Sequence, residues 1–178
     1  MSYYQRNLPH WHPEGAAVFI TWRLFGSLPS SGWGLRKDAR EAFRHMDRTL
    51  DKANKGPLWL KDARVAKCVV EAFYYGEREM QLYDLLAFAV VANHVHILIR
   101  PKAELPKITK AIKGFSSRQA NRILARTGQP FWQDESFDHW IRNDDELNRT
   151  IRYIERNPLS AGLTPSIEDY PWSSAYRV

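Results

Sequence analysis

The stretch from Tyr83 to Arg100 does most to constrain the fold. Tyr83 to Val91 and His94 to Arg100 are both rich in β-forming residues, and only Ala92-Asn93 separates them. So short a polar break leaves no room for a crossover, and predicts an antiparallel hairpin closed by Pro101. A third strand is expected at Ala16 to Phe25, where Val18, Ile20, Trp22 and Leu24 alternate with Phe19, Thr21, Arg23 and Phe25. Helical spacing accounts for most of the rest. Ala39, Phe43, Met46 and Leu50 mark a helix from Leu35 to about Ala53. Val65, Val69 and Phe73 mark a second from about Asp62 to Tyr75, with Asp62 as its N-cap. Leu105, Ile108, Ile112, Phe115 and Ile123 form the apolar stripe of a long helix, Glu104 to Arg126. Gly128 to Asn143 reads as irregular, and Asn143 or Asp144 caps a last helix that Pro158 is expected to end at Asn157. Strand, helices, hairpin, helix, helix is an α+β order: a mainly antiparallel sheet with packed helices.

At 178 residues the chain suits one domain, read as 1–178 with a helical insertion at about 35–76 and a short tail from about 164. Its longest apolar run, Leu85 to Ala92, is eight residues, far below a bilayer span. The first residues carry no apolar signal core, so a cytoplasmic location without a membrane partner is expected. Cys68 is the sole cysteine, which excludes an internal disulfide and a cysteine-cluster metal site. The formal charge is +6, and Pro101 to Arg126 holds that whole surplus, with seven basic residues against Glu104. Such one-signed loading suits phosphate contacts, although a basic helix face can also be idle.

Two constellations can carry chemistry. His94 and His96 are two apart on a strand, so their imidazoles share a face while Val95, Ile97 and Ile99 take the other. They can hold one divalent ion between them, or be unrelated polar positions. On the last helix, Leu147, Ile151 and Ile154 make a core stripe, and Glu146, Thr150, Tyr153 and Asn157 line the face beside it. Tyr153 and Asn157, four apart, can deliver a nucleophile and a metal ligand from one rigid element, or be a core residue and a cap.

In combination these residues resemble a known family. Val90 to Ile99, VVANHVHILI, is similar to the hairpin of the REP-associated tyrosine transposases, members of the single-tyrosine HUH (IS200-like) superfamily. Phe131-Trp132-Gln133, Phe137 to Arg142, Tyr153 to Pro158, Ala161-Gly162-Leu163 and Pro171 to Ser174 follow in the family's order and spacing. Ala92 departs from the proline often found in the turn, and Leu159-Ser160 from a more usual Val-Lys.

The resemblance implies a ferredoxin-like HUH endonuclease architecture and a DNA-cleaving, strand-transferring enzyme. Tyr153 would attack a phosphodiester of single-stranded DNA, forming a 5′-phosphotyrosine and releasing a 3′-hydroxyl. His94, His96 and Asn157 would hold Mg2+ or Mn2+, compensating for a phenol whose pKa near 10 leaves it a weak nucleophile. The implied partner is hairpin-forming, REP-like DNA, handled at the nucleoid by a monomer or homodimer. Lys107, Lys110, Lys113, Arg118 and Arg122 are candidate phosphate contacts, tracking the strand into the site. Trp11, Trp33, Trp132 and Trp140 are candidate base-stacking platforms. Alternatives are a non-catalytic nucleic-acid-binding module and a metal-dependent hydrolase using the two histidines.

Overall fold

The computed structural model describes residues 2–5, 9–12, 15–28, 39–52 and 56–177, with backbone alone at 2–5, 9–12, 39, 40 and 42. Two short strands, β1 (Ser2–Gln5) and β2 (Pro9–His12), form an antiparallel ribbon. The main sheet contains β3 (Val18–Arg23), β4 (Tyr83–Val90), β5 (His94–Pro101) and β6 (Phe137–Trp140), in the order β4-β5-β3-β6. All its pairings are antiparallel. The helices are α1 (Ala39–Asp51), α2 (Ala63–Arg78), α3 (Leu105–Ile123) and α4 (Asp144–Ser160). No described helix is long and apolar enough to cross a membrane.

Strand alternation divides the core into two layers. Val18, Ile20, Trp22, Val95, Ile97 and Ile99 pack against α2 and α3 through Val65, Val69, Phe73, Ile108 and Ile112. Phe19, Ala87, Ala89 and Leu98 project the other way, onto Phe43, Met46 and Leu50 of α1 and Ile154 of α4. Cross-strand register puts Thr21 beside His96 and Arg23 beside His94. Both histidines therefore lie on the α1/α4 face, and β5 is fixed by ladder bonds on each side.

The C-terminal segment guards the outer edge of β4: Val90 donates to the Trp172 carbonyl at 2.8 Å, and Ser174 to the Phe88 carbonyl at 3.0 Å. Unpaired strand groups are thereby covered.

Three expectations change. Phe137–Trp140 is a strand rather than irregular chain. It is a half-buried sheet edge, so its four residues carry no strong alternation. Pro158 does not end α4, which continues to Ser160. Pro158 sits in the last turn, where its missing N–H removes one ladder bond, and that turn still closes through Ala161 N to Asn157 O at 2.9 Å and Leu163 N to Pro158 O at 2.9 Å. The α3 bounds shorten to Leu105–Ile123. For α1, the expected flanks at 35–38 and 53 lie outside the described residues. Asp62 does cap α2, accepting from Arg64 N at 2.9 Å, and Asn143 caps α4, accepting from Glu146 N at 2.9 Å.

Candidate active site

Alternate positions on β5 bring the His94 and His96 Nε2 atoms to 3.1 Å from one another, both rings fully buried. The His94 tautomer follows from its neighbours. Asn93 Nδ2 donates to the Leu50 carbonyl at 3.0 Å, which orients the amide and leaves its Oδ1 facing His94 Nδ1 at 2.7 Å. An amide oxygen only accepts, so His94 carries its hydrogen on Nδ1 and presents the Nε2 lone pair to the site. Burial also pushes the His94 pKa down, favouring the neutral ring. His96 Nδ1 contacts the Thr21 hydroxyl at 2.7 Å, a partner able to donate or accept. Such outer partners fix ligand orientation in metal sites.

Helix α1 closes the site with two carboxylates one turn apart. Asp47 Oδ1 stands 3.4 Å from His94 Nε2 and 3.3 Å from His96 Nε2, and Asp51 Oδ1 lies 3.7 Å from His94 Nε2. Burial would raise the Asp47 pKa, but attraction from His96 foremost outweighs it and holds the carboxyl far below its usual range. Asp51 moves the other way, to about 6, through burial and then repulsion from Asp47.

From α4 come Tyr153 and Asn157. The Tyr153 hydroxyl donates to Asp47 Oδ2, and its ring packs edge-on to His96 with centroids 5.6 Å apart. Burial, then the Asp47 charge and the same hydrogen bond, push the Tyr153 pKa upward. Asn157 is buried one turn further along, with its amide against Asp51.

The donor set fits a divalent cation. Asp47, His94 and His96 form a buried cluster whose ligand atoms converge. Neighbouring atoms bound at about 2.0–2.1 Å stand about 2.8–3.0 Å apart on an octahedral ion and about 3.3–3.4 Å apart on a tetrahedral one, and these three span 3.1–3.4 Å. The Oδ1 atoms of Asp47, Asp51 and Asn157 are buried without a hydrogen-bond partner among the described residues. Buried acceptors around the His94 lone pair are costly until positive charge compensates them.

Against the expected residues, the structure brings His94, His96, Tyr153 and Asn157 into one cluster. It does not bring α3 there. Lys107, Lys110, Lys113, Arg118 and Arg122 belong to the α2/α3 layer, across the sheet from the histidines. Lys113 Nζ donates to the carbonyls of Gln133 at 2.7 Å and Asp134 at 2.8 Å, bracing the loop before β6. Trp132 is core, its indole N–H donating to Ser116 Oγ at 2.9 Å. Trp140 is half-buried, with Arg142 5.6 Å over its ring. Trp33 and the Trp11 side chain lie outside the described residues. Asp47 and Asp51 were missed by sequence reasoning. Their one signal is two acidic residues four apart, flanking the Phe43/Met46/Leu50 stripe of a helix with mixed charge.

The model of IS200-like transposases matches residues 60–157, more than half of the chain. The chain belongs to the IS200-like transposase family. The match takes in His94, His96, Tyr153 and Asn157 and leaves α1 outside. Among curated proteins, one described as a candidate REP-associated tyrosine transposase, from Haemophilus influenzae, is 26% identical over 53% of this chain. The alignment spans 60% of that relative's length. The solved structure of a REP-associated tyrosine transposase bound to a REP hairpin aligns over 98% of this chain and 82% of its own. Its TM-score of 0.58 at 17% identity establishes a shared fold, the four-stranded antiparallel sheet with helices of the IS200-like enzymes.

Proposed function

We propose that the chain is a metal-dependent single-stranded DNA endonuclease and strand transferase acting on hairpin-forming, REP-like DNA. One observation carries this reading. The Tyr153 hydroxyl is hydrogen-bonded to the carboxylate that also faces both imidazoles. Nucleophile, its hydrogen-bond acceptor and the metal ligands are thus parts of one cluster.

His94, His96 and Asp47, with Asn157, would hold the ion; their mixed imidazole and oxygen donors suit Mg2+ or Mn2+. Bound there, a divalent cation neutralises the Asp47 charge and polarises the scissile phosphate. Asp47 Oδ2 positions Tyr153 Oη by accepting its hydrogen bond, and the phenolic proton passes to solvent as the bond to phosphorus forms. The Tyr153 oxygen bonds to phosphorus, the bond from phosphorus to the 3′ oxygen breaks, and that oxygen leaves as a hydroxyl after taking up a proton. The phosphotyrosine retains the ester, so a 3′-hydroxyl can reverse the step and join strands. Lys107, Lys110, Arg118 and Arg122, exposed on α3, would contact phosphates of DNA remote from the scissile bond. The enzyme would work at the nucleoid as a monomer or homodimer.

The test is a labelled REP-like hairpin oligonucleotide with a single-stranded flank, incubated with Mn2+. A covalent protein–DNA band is expected with Mn2+, absent with chelator and absent in Tyr153→Phe. Undiminished cleavage by Tyr153→Phe would indicate a water-using hydrolase, and binding with no metal-dependent cleavage a recognition module.

A further inference from the structure

Helices α1 and α4 both cover the Phe19/Leu98 face of the sheet, and each divides its circumference into the same three rows. At about 100° per residue, α4 turns Leu147, Ile151 and Ile154 to the core and sets Asn157 and Tyr153 beside them. Arg149 and Arg156 follow, each within about 60° of Tyr153 on the wheel, with Arg152 just beyond. On α1 the sequence of rows is Phe43, Met46 and Leu50, then Asp47 and Asp51, then Arg44 and Arg48. The hydrogen bond from Tyr153 to Asp47 and the contact of Asn157 with Asp51 turn the two functional rows toward each other. The arginine rows consequently stand on opposite banks of the seam at which Tyr153, 39% exposed, reaches solvent.

All five guanidiniums are exposed, and none forms an ion pair among the described residues. Asp145, one turn before Arg149, makes none with it either. Arg48 is close enough for its charge to act on the Tyr153 hydroxyl. Unpaired cations on both banks of a seam, with a nucleophile at its floor, match a polyanion with charges along its length.

We infer that the seam between α1 and α4 is the binding track of the single strand: Arg48 on one bank and Arg149 and Arg156 on the other hold the phosphates flanking the scissile one. The inference rests on the proposed DNA-cleaving role and assigns the strand's path to this face, not to α3. It also gives α1, which lies outside the family match, a substrate-positioning role.

The test uses Tyr153→Phe protein, which cannot trap the strand, and a fluorescent unstructured oligodeoxynucleotide in anisotropy titrations at several salt concentrations. Loss of three single-strand phosphate contacts lowers the salt slope by about 2.1. Between 50 and 200 mM salt, binding by the parent should therefore weaken about 18-fold more than binding by Arg48→Gln/Arg149→Gln/Arg156→Gln. Lysine at the three positions keeps the charge and should restore most of the slope. A triple glutamine change at Lys67, Arg78 and Arg177 alters net charge equally, away from the seam, and should leave the slope unchanged. Circular dichroism melts establish that each variant is folded. An unchanged slope in the seam variant, or an equal loss in the remote one, overturns the inference. Strand binding is read without cleavage, so a wild-type enzyme that forms no adduct would refute the catalytic reading while leaving this outcome separately measurable.

Discussion

Replacing Asn93 separates what orients the metal ligand from what holds the fold. Asn93 is 1% exposed and makes two side-chain hydrogen bonds: its amide donates to Leu50 O at 3.0 Å, and its oxygen receives His94 Nδ1–H at 2.7 Å. Asn93→Ala strands a buried carbonyl on α1 and a buried imidazole N–H. Each costs about 1–3 kcal/mol, so the domain should lose about 2–4 kcal/mol with partial relaxation. With Nδ1–H no longer held, the tautomer carrying its hydrogen on Nε2 competes and covers the lone pair that faces Asp47. Outer-sphere losses of this kind lower metal affinity about 10- to 100-fold. Asn93→Asp retains an oxygen acceptor for His94 but sets a carboxylate against the Leu50 carbonyl. It should lose stability while keeping Mn2+ affinity. Isothermal titration with Mn2+ and urea melts of the metal-free proteins measure the two quantities. A folded Asn93→Ala protein binding Mn2+ within about twofold of wild type would refute the tautomer reasoning.

Two further perturbations probe the site's charge and the opposite layer. Burial and repulsion from Asp47 raise the Asp51 pKa to about 6, above the ordinary aspartate value, so its ionisation destabilises the native state progressively as pH rises through that window. Asp51→Asn should therefore stabilise the metal-free protein relative to wild type by a margin that grows from pH 4 to about 6 and then levels. A margin independent of pH in thermal melts would contradict this. Gly76 faces Tyr83, whose hydroxyl donates to Phe73 O at 2.7 Å; a Cβ there would stand 2.5 Å from Tyr83 Oη and 3.0 Å from two ring carbons. Gly76→Ala should cost about 1–3 kcal/mol or more by overpacking, and Tyr83→Phe in the same chain should recover part of it. Additive urea-melt values would argue against that contact.

Local pattern made much of this legible. The hairpin, the capped helices and the placement of His94 and His96 on one face follow from periods of 2.0 and 3.6, which act within a few residues. Tyr153 and Asn157 were accessible for the same reason, being one turn apart on one helix. Asp47 and Asp51 were not, because a carboxylate bordering an apolar stripe has the same pattern whether it meets solvent or two histidines. Only the packing of α1 on the sheet decides between them. The basic surplus of α3 led to the wrong side of the site for a complementary reason. α3 follows β5 in sequence, yet its stripe of Leu105, Ile108 and Ile112 packs on the face away from the histidines. β6 escaped because an edge strand half-buried along its whole length carries little alternation to read.

The central claim is that Tyr153, aligned by Asp47 beside the histidine pair, becomes covalently joined to DNA. Its most direct test is peptide mass spectrometry after reaction of the wild-type protein with a REP-like hairpin substrate and Mn2+, followed by nuclease trimming and proteolysis. The peptide containing Tyr153 should carry the mass of a 5′-linked nucleotide, with fragment ions placing it on that residue, and the modification should vanish under chelation. Nucleotide found on another residue, or substrate cleaved with every tyrosine unmodified, would contradict the account.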